Sequence, residues 1–281
     1  RHGRLPLSFA QSRLWFLDQL ERHAAIYNIP SAIRLTGHLE VDALTRALNE
    51  IVRRHEALRT TFVMVDDAPV QVIAPTLTLP LDIVDLGHLP AAEREAQLRV
   101  YLREDLARPF DLAVDPLIRF DLLRLAEDEH VLFLTMHHIV SDGWSVGVVM
   151  RELAAFYRAF MQGLPSPLPD LPIQYADFAQ WQRQWLNEDV LAPQLSYWKQ
   201  RLAGCPSLLT LPTDRPRPAR LSHRGAMLSF MLPATQISDL QALGRQTQST
   251  LFMTLYAAFS VLLARYSGQS DICIGTPIAN R

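Results

Sequence analysis

The chain has 281 residues, of which 49% are hydrophobic and 20% are charged, and its formal net charge is −2. This balance is typical of a globular protein with a buried core, and it gives no electrostatic reason to expect nucleic acid or a membrane as a partner. Cys205 and Cys273 have neither metal-ligand nor redox spacing, which favours a reducing compartment over a disulfide scaffold. No apolar run approaches the roughly 20 residues of a membrane-spanning helix. The sequence therefore predicts a cytoplasmic protein.

Helices and strands alternate in the predicted first part of the chain. Ser8 and Gln11 have the spacing of a capping box, and Asp42 is placed to cap a second helix. A continuous apolar run at 131–135 predicts a buried strand. The predicted elements are a helix at 8–20, a strand at 32–36, a helix from 42 to about 53, a strand at 58–64, an exposed helix at 91–107, strands at 117–125 and 131–135, and a helix at 146–160.

Prolines concentrate between residues 163 and 172, which is the clearest change of composition in the chain. Proline removes backbone donors and favours extended backbone, so we predict a boundary there, with lobes at 1–170 and 171–281. The aromatic residues of the next two helices are predicted to be core. The second lobe is predicted to contain helices at 175–185 and 190–203, a strand at 226–232, helices starting at 233 and at 251, and a strand at 271–277.

Two adjacent histidines, His137 and His138, follow the buried strand, with Asp142 and Gly143 just beyond them. Neighbouring strand side chains point to opposite faces, so the two imidazoles are not expected to bind one metal ion. The chain also lacks the HExxH and CxxC patterns of zinc sites, and we predict no metal. The pattern suits one imidazole turned inward and the other in a cleft, although packed or surface histidines are the alternative.

Residues 137–143, His-His-Ile-Val-Ser-Asp-Gly, resemble the HHxxxDG motif of the condensation domains of nonribosomal peptide synthetases. Four further stretches resemble motifs of that family in the same order, at 8–17, 54–62, 175–181 and 274–281. The resemblance implies an α/β fold, a mixed sheet with flanking helices, in the chloramphenicol-acetyltransferase-like, two-lobed, V-shaped arrangement. Two later motifs of the family are missing, so we expect an incomplete second lobe.

The resemblance also implies peptide-bond formation, in which the amine of an acceptor aminoacyl thioester attacks a donor acyl or peptidyl thioester. His138 is the implied catalytic residue, because imidazole accepts or relays protons near neutral pH. No cofactor is expected on the domain itself. The implied partners are donor and acceptor peptidyl carrier proteins, which bring the substrates on 4'-phosphopantetheine, and the adjacent adenylation and carrier domains.

Five residues are implied to support His138. In the family the motif aspartate pairs with an arginine, and we expect Arg281 to be the partner of Asp142, with Arg59 as second choice. His137 is expected to be structural. Gly143 is expected to give the chain room to turn, and its N–H to meet the oxyanion of the tetrahedral intermediate.

Three alternatives come from other functional classes. An epimerisation domain keeps HHxxxDG and removes an α-proton with a carboxylate, but its first motif should differ from residues 8–17. A noncatalytic recruitment domain of the same fold binds a partner protein and usually lacks a motif histidine, whereas both are present here. A free acyl-CoA-dependent acetyltransferase shares the fold and the histidine but lacks the other four stretches.

Overall fold

A computed structural model describes residues 4–21, 25–219 and 225–277. The chain divides into two compact units, the first ending at Val190 and the second starting at Leu191. The motif histidines belong to the first unit.

The first unit contains seven strands and the first five helices of the described residues. They are β1 (Leu5–Pro6), α1 (Phe9–Leu20), β2 (Asn28–Thr36), α2 (Val41–Arg54), β3 (Thr60–Val65), β4 (Ala68–Ile73), β5 (Asp82–Asp85), α3 (Ala91–Ala107), β6 (Ile118–Ala126), β7 (Glu129–His137), α4 (Gly143–Met161) and α5 (Tyr175–Trp185), with short 3-10 helices at Ala25–Tyr27 and Glu56–Arg59.

Two sheets form from these strands. The larger has the order β2-β7-β6-β5, with antiparallel pairs except for the parallel β5–β6 pair, and the smaller has the order β1-β4-β3. The predicted mixed sheet with flanking helices is confirmed. β2 pairs with β7 along its whole length, from Asn28 opposite His137 to Thr36 opposite Glu129. This pairing explains why β2 starts earlier than the predicted strand at 32–36.

The strand that leads to the histidines is buried on both faces. Leu132, Leu134 and Met136 belong to the main hydrophobic cluster, with residues of α2 and α4, while Val131 and Phe133 belong to a second cluster with residues of α3 and β6. A strand covered on both faces lacks polar alternation, which is why the sequence shows a continuous apolar run. The core therefore fixes the strand that ends in the motif.

The start of α1 agrees with the predicted capping box, whereas the start of α2 does not agree with the predicted cap. Ser8 caps α1 through the predicted exchange with Gln11, with the Gln11 N–H 3.1 Å from the Ser8 Oγ. The prediction that Asp42 caps α2 is wrong, because the cap residue is Glu40 and Asp42 lies in the first turn. An acidic residue in the first turn still interacts favourably with the helix dipole.

Helix α5 packs in the first unit, although the sequence predicted that residues from 171 on begin the second lobe. Its Tyr175 hydroxyl lies 2.9 Å from the Ser8 Oγ, and its Gln182 side chain accepts the Phe9 N–H at 3.0 Å. The division into compact units thus comes later in the chain than the proline-rich segment. The prolines lie between α4 and α5, and both of these helices belong to the first unit.

The second unit contains α7 (Ala234–Gln246) and α8 (Leu251–Ser267), and α6 (Glu188–Arg201) runs into it. The predicted strands at 226–232 and 271–277 are wrong, because the described residues there form no strand. A strand needs a neighbour to satisfy its backbone, and the described part of this unit supplies none. Met227 and Phe230 are accordingly 92% and 81% exposed.

The prediction that the aromatic residues of α5 and α6 form core is wrong for four of them. At least half of the surface is exposed for Trp181, Trp185, Tyr197 and Trp198. Trp181 and Trp185 stack on each other, with ring centroids 5.3 Å apart. Among the described residues no single helix has the length and apolarity to cross a membrane, although α7 and α8 together, bent by 102°, meet those criteria.

A buried ionic cluster joins α2 to α4. One Glu152 carboxylate oxygen accepts from the Arg54 Nε at 3.1 Å, and the other lies 2.7 Å from the His55 Nε2. The Arg54 and Glu152 side chains are 8% and 11% exposed. Water therefore screens this pair weakly, and the loss of one partner leaves a buried charge.

We expect Glu152→Gln to lower the free energy of unfolding by about 3–5 kcal/mol, because the Arg54 guanidinium stays buried without its counter-charge. Urea denaturation measures the change. The control is Glu104→Gln at an exposed position on α3, where we expect a change within about 0.5 kcal/mol. Equal effects of the two substitutions would contradict a stabilising role for the cluster.

Carboxylates also approach each other between β5 and β6, where Asp82 lies opposite Asp121. Burial, with Asp105 and Asp82 nearby, raises the pKa of Asp121 above its ordinary value. Burial and the negative charge of Asp121 and Asp105 raise the pKa of Tyr101 to about 12. The folded protein thus holds the Asp121 proton more tightly than the unfolded chain does.

Ionisation of Asp121 above its raised pKa should therefore lower the free energy of unfolding. We expect Asp121→Asn to be more stable than the wild type at pH 7. The gain should vanish below the ordinary aspartate pKa, where the carboxyl is protonated in both states. Urea denaturation across this pH range measures the difference, and a gain independent of pH would contradict the raised pKa.

Candidate active site

The motif residues form a tight connection between β7 and α4. β7 ends at His137, and the His137 carbonyl accepts the Val140 N–H and the Ser141 hydroxyl, each at 3.1 Å. α4 begins at Gly143, three residues earlier than the sequence predicted. The connection is therefore held by its own hydrogen bonds on a strand that the core fixes.

The His137 side chain lies in the interior, with only 2% of its surface exposed. Its ring makes edge contacts with Tyr27 and Phe110, at centroid distances of 6.2 and 6.1 Å. The Ile139 N–H donates to its Nδ1 at 3.1 Å. A neutral imidazole that accepts at Nδ1 carries its proton on Nε2. His137 thus ties the connection to the interior.

The His138 side chain is only partly buried. Its backbone N–H donates to the Tyr27 carbonyl at 2.8 Å, and its Nδ1 lies 2.9 Å from the Ser141 carbonyl oxygen. A carbonyl can only accept, so Nδ1 carries the proton of the neutral ring and Nε2 is its basic nitrogen. The geometry therefore gives His138 a fixed tautomer that can accept a proton at Nε2.

Asp142 caps the first turn of α4, a role that the sequence analysis missed. Its Oδ1 accepts the Ser145 N–H at 2.8 Å and the Ser145 hydroxyl at 2.6 Å, while its own N–H donates to the Ser145 Oγ at 3.2 Å. The three-residue spacing of Asp142 and Ser145 is a capping-box spacing and could have revealed it. The carboxylate thereby links the motif to the start of the helix.

Gly143 is the first residue of α4, and its φ is not positive. Apart from its two chain neighbours and the nearby backbone of α4, a Cβ at this position would meet no heavy atom of the described residues within 4 Å. The expected steric need for glycine is therefore not found in this part of the chain.

The two arginines expected near Asp142 have different outcomes. Arg281 lies outside the described residues, as does the rest of the 278–281 end of the fifth motif. Arg59 donates to the Ala74 carbonyl and lies 3.5 Å from a Glu56 carboxylate oxygen. The structure thus pairs Arg59 with Glu56, so the second-choice pairing with Asp142 is wrong.

A cavity of about 260 Å³ lies beside the connection. It is mostly apolar, and its wall includes Asp142, the exposed Trp144 and residues from two other predicted motifs, His55 and Tyr175. Sequence analysis named those two motifs without assigning either side chain to the site. Among the described residues no group of three or more His, Cys, Asp or Glu side chains could hold a metal ion.

Comparison with known proteins identifies the family. The protein-family model described as "Condensation domain" matches residues 1–281, which is the whole chain. The chain belongs to the condensation-domain family. The resemblance carried by the five motifs is therefore confirmed.

Curated relatives are much longer than this chain. A linear gramicidin synthase from Brevibacillus parabrevis is 53% identical over 281 residues, which cover 100% of this chain and 4% of the relative. Phosphinothricin tripeptide synthetase PhsC of Streptomyces viridochromogenes is 48% identical, with 99% of this chain and 26% of the relative covered. The chain thus spans a small part of each synthetase.

Solved structures confirm the predicted chloramphenicol-acetyltransferase-like fold. The X-domain from teicoplanin biosynthesis has a TM-score of 0.84 at 32% identity, covering 95% of this chain and 58% of that one. The first condensation domain of the CDA synthetase has a TM-score of 0.75 at 24% identity, covering 96% and 64%. The condensation-domain fold is thus common to these structures and this chain.

The cap makes a prediction about Asp142. We expect Asp142→Ala to lower the free energy of unfolding by about 0.5–2 kcal/mol, because alanine cannot accept the Ser145 N–H. Asp142→Asn keeps a side-chain acceptor and should cost less. Urea denaturation of both variants measures the difference. Equal losses would show that the charge of Asp142, rather than its cap, provides the stabilisation.

Proposed function

We propose that this chain is part of a condensation domain that forms an amide bond between two carrier-bound thioesters. The observation that carries the proposal is the bond from the His138 Nδ1 to the Ser141 carbonyl. The bond makes Nε2 the ring nitrogen that can accept a proton, on an imidazole that is only partly buried. The family membership supplies the substrate class, a donor acyl or peptidyl thioester and an acceptor aminoacyl thioester.

The proposed reaction is acyl transfer. The acceptor amine attacks the donor carbonyl, a C–N bond forms and the C–S bond breaks, so the donor's phosphopantetheine leaves as a thiol. The amine loses a proton, which the His138 Nε2 accepts and returns to the leaving sulfur. General acid–base help of this kind contributes about 10²–10⁴-fold. Holding the amine in line contributes comparably or more.

Four neighbours would support His138 in this proposal. His137 anchors the connection, Asp142 caps α4, and Arg281 is proposed as the ionic partner of Asp142. The Gly143 N–H is proposed to face the oxyanion. Its position supports this, because the first N–H of a helix has no acceptor within the helix and lies at the positive end of the dipole.

The proposed partners follow from the relatives. The gramicidin synthase relative is many times longer than this chain, and one protein of similar fold is described as a four-domain nonribosomal peptide synthetase. We infer donor and acceptor peptidyl carrier proteins as direct partners, with adenylation and carrier domains adjacent in the chain. The substrates would arrive on 4'-phosphopantetheine, no cofactor would be bound by the domain itself, and the cytoplasm would be the compartment.

A noncatalytic recruitment domain is the second candidate. The teicoplanin X-domain is described in a complex with OxyB, and it matches this chain with a TM-score of 0.84. Both histidines of the motif are present here, and the gramicidin synthase relative is more similar in sequence, at 53% against 32% identity. These observations favour the catalytic proposal.

The test uses the complete synthetase module that contains this chain, with carrier proteins loaded with donor and acceptor. We expect amide product on the acceptor carrier, detected by intact-protein mass spectrometry. His138→Ala should form product about 10²–10⁴-fold more slowly, because the proton acceptor is lost. Its melting temperature should stay near that of the wild type, because the ring is partly exposed.

His88→Ala is the matched control, since His88 is an exposed histidine outside the motif. It should leave the rate unchanged. The recruitment domain would be favoured if the wild-type module formed no product with any loaded carrier pair and bound a partner protein tightly. Equal rates for the wild type and His138→Ala would contradict the role of His138.

A further inference from the structure

Phe110 lies against the buried motif histidine. Its side chain is 4% exposed, and its ring meets the His137 ring edge-on at 82°, with centroids 6.1 Å apart. Phe110 belongs to none of the five predicted motifs, and the proposed chemistry does not use it. It follows the C-terminus of α3, so the backbone there decides where the ring sits.

An arginine of β6 also contacts this ring. The guanidinium carbon of Arg119 lies 4.0 Å from the Phe110 centroid, which is a cation–π contact. The Arg119 Nε donates to the Asp105 Oδ1 at 3.1 Å, and its Nη2 donates to the carbonyls of Asp105 and Arg108, each at 3.0 Å. The planar guanidinium therefore has a fixed orientation against the ring.

The end of α3 is tied down by side chains. The Asn28 Nδ2 donates to the carbonyls of Leu106 and Arg108, each at 2.9 Å, so these helix-terminal acceptors are satisfied. The Asp105 Oδ2 also accepts the Thr135 hydroxyl at 2.7 Å. Asp105 thus links α3 to β6 and to β7, two residues before His137.

We propose that Asp105, Arg119 and Phe110 form a positioning cluster that holds the His137 ring and thereby orients His138 for the reaction. The path from one to the other is continuous. Phe110 contacts the His137 ring, whose Nδ1 accepts the Ile139 N–H, and the His137 carbonyl holds Ser141. The Ser141 carbonyl then accepts from the His138 Nδ1.

The inference rests on the proposed function, because it assigns these residues to the rate of amide formation. A purely structural role would give a different result. Loss of core packing at Phe110 would lower stability as much as at any buried phenylalanine. A positioning role would lower kcat as well as stability. It would leave the KM values for the carrier substrates unchanged.

The test compares Phe110→Leu with Phe133→Leu in the complete module. Phe133 is also buried, at 2% exposure, but it packs in the second hydrophobic cluster. We expect kcat for amide formation to fall about 10- to 100-fold for Phe110→Leu, since a shift of about 1 Å in a reacting group can cost that much. Phe133→Leu should keep kcat close to that of the wild type.

Arg119→Lys is the second variant, because it keeps the positive charge but loses the Nε and Nη2 donors that bond the Asp105 carboxylate and the carbonyls of Asp105 and Arg108. We expect kcat to fall in the same direction, with KM unchanged. If Phe110→Leu does not fold, Arg119→Lys provides the test. The proposal is overturned if a folded Phe110→Leu or Arg119→Lys variant has the same kcat as Phe133→Leu.

A readout independent of activity separates this inference from the proposed function. Deuterium exchange at the imidazole C2–H, measured by mass spectrometry, reports on the protection of each histidine ring. His137 exchange should become faster in Phe110→Leu and stay unchanged in Phe133→Leu. Unchanged His137 exchange overturns the positioning cluster, whereas a wild-type module without product contradicts the proposed function alone.

Discussion

The pairing of β2 with β7 is the constraint on which the rest of the site depends. It continues to the last residue of β7, where Asn28 lies opposite His137, and the next hydrogen bond joins the His138 N–H to the Tyr27 carbonyl. Tyr27 thus contacts one histidine with its ring and the other with its backbone. Because the histidines are adjacent, one inserted residue in β2 would misplace both.

Local hydrogen bonds fix the residues that follow β7. The connection is closed by bonds to the His137 carbonyl, and Asp142 fixes the start of α4 through Ser145. These bonds join residues that are only three or four positions apart in the sequence. Distant residues such as Phe110 and Arg119 act on this unit through the ring of His137, which lies in the interior while His138 is partly exposed.

Sequence patterns predicted the elements whose stability is local or periodic. The continuous apolar run before His137 correctly indicated a buried strand, and strand alternation suggested that one of the two imidazoles is turned inward, as His137 is. The resemblance implied an arginine partner for Asp142, whereas the local spacing of Asp142 and Ser145 indicates the cap that the structure contains. The strands at 226–232 and 271–277 were wrong because β-structure depends on pairing, which apolar alternation cannot supply.

The bond between the Ser8 and Tyr175 hydroxyls joins the first and fourth motif stretches, which are far apart in sequence. Together with the Phe9–Gln182 bond it fastens α5 to the N-terminal residues of the first unit. This contact bears on where two such domains can be joined in a chimeric synthetase. A junction in the proline-rich segment at 163–172 would take α5 and Ser8 from different parents, whereas a junction after Trp185 would take both from the same parent.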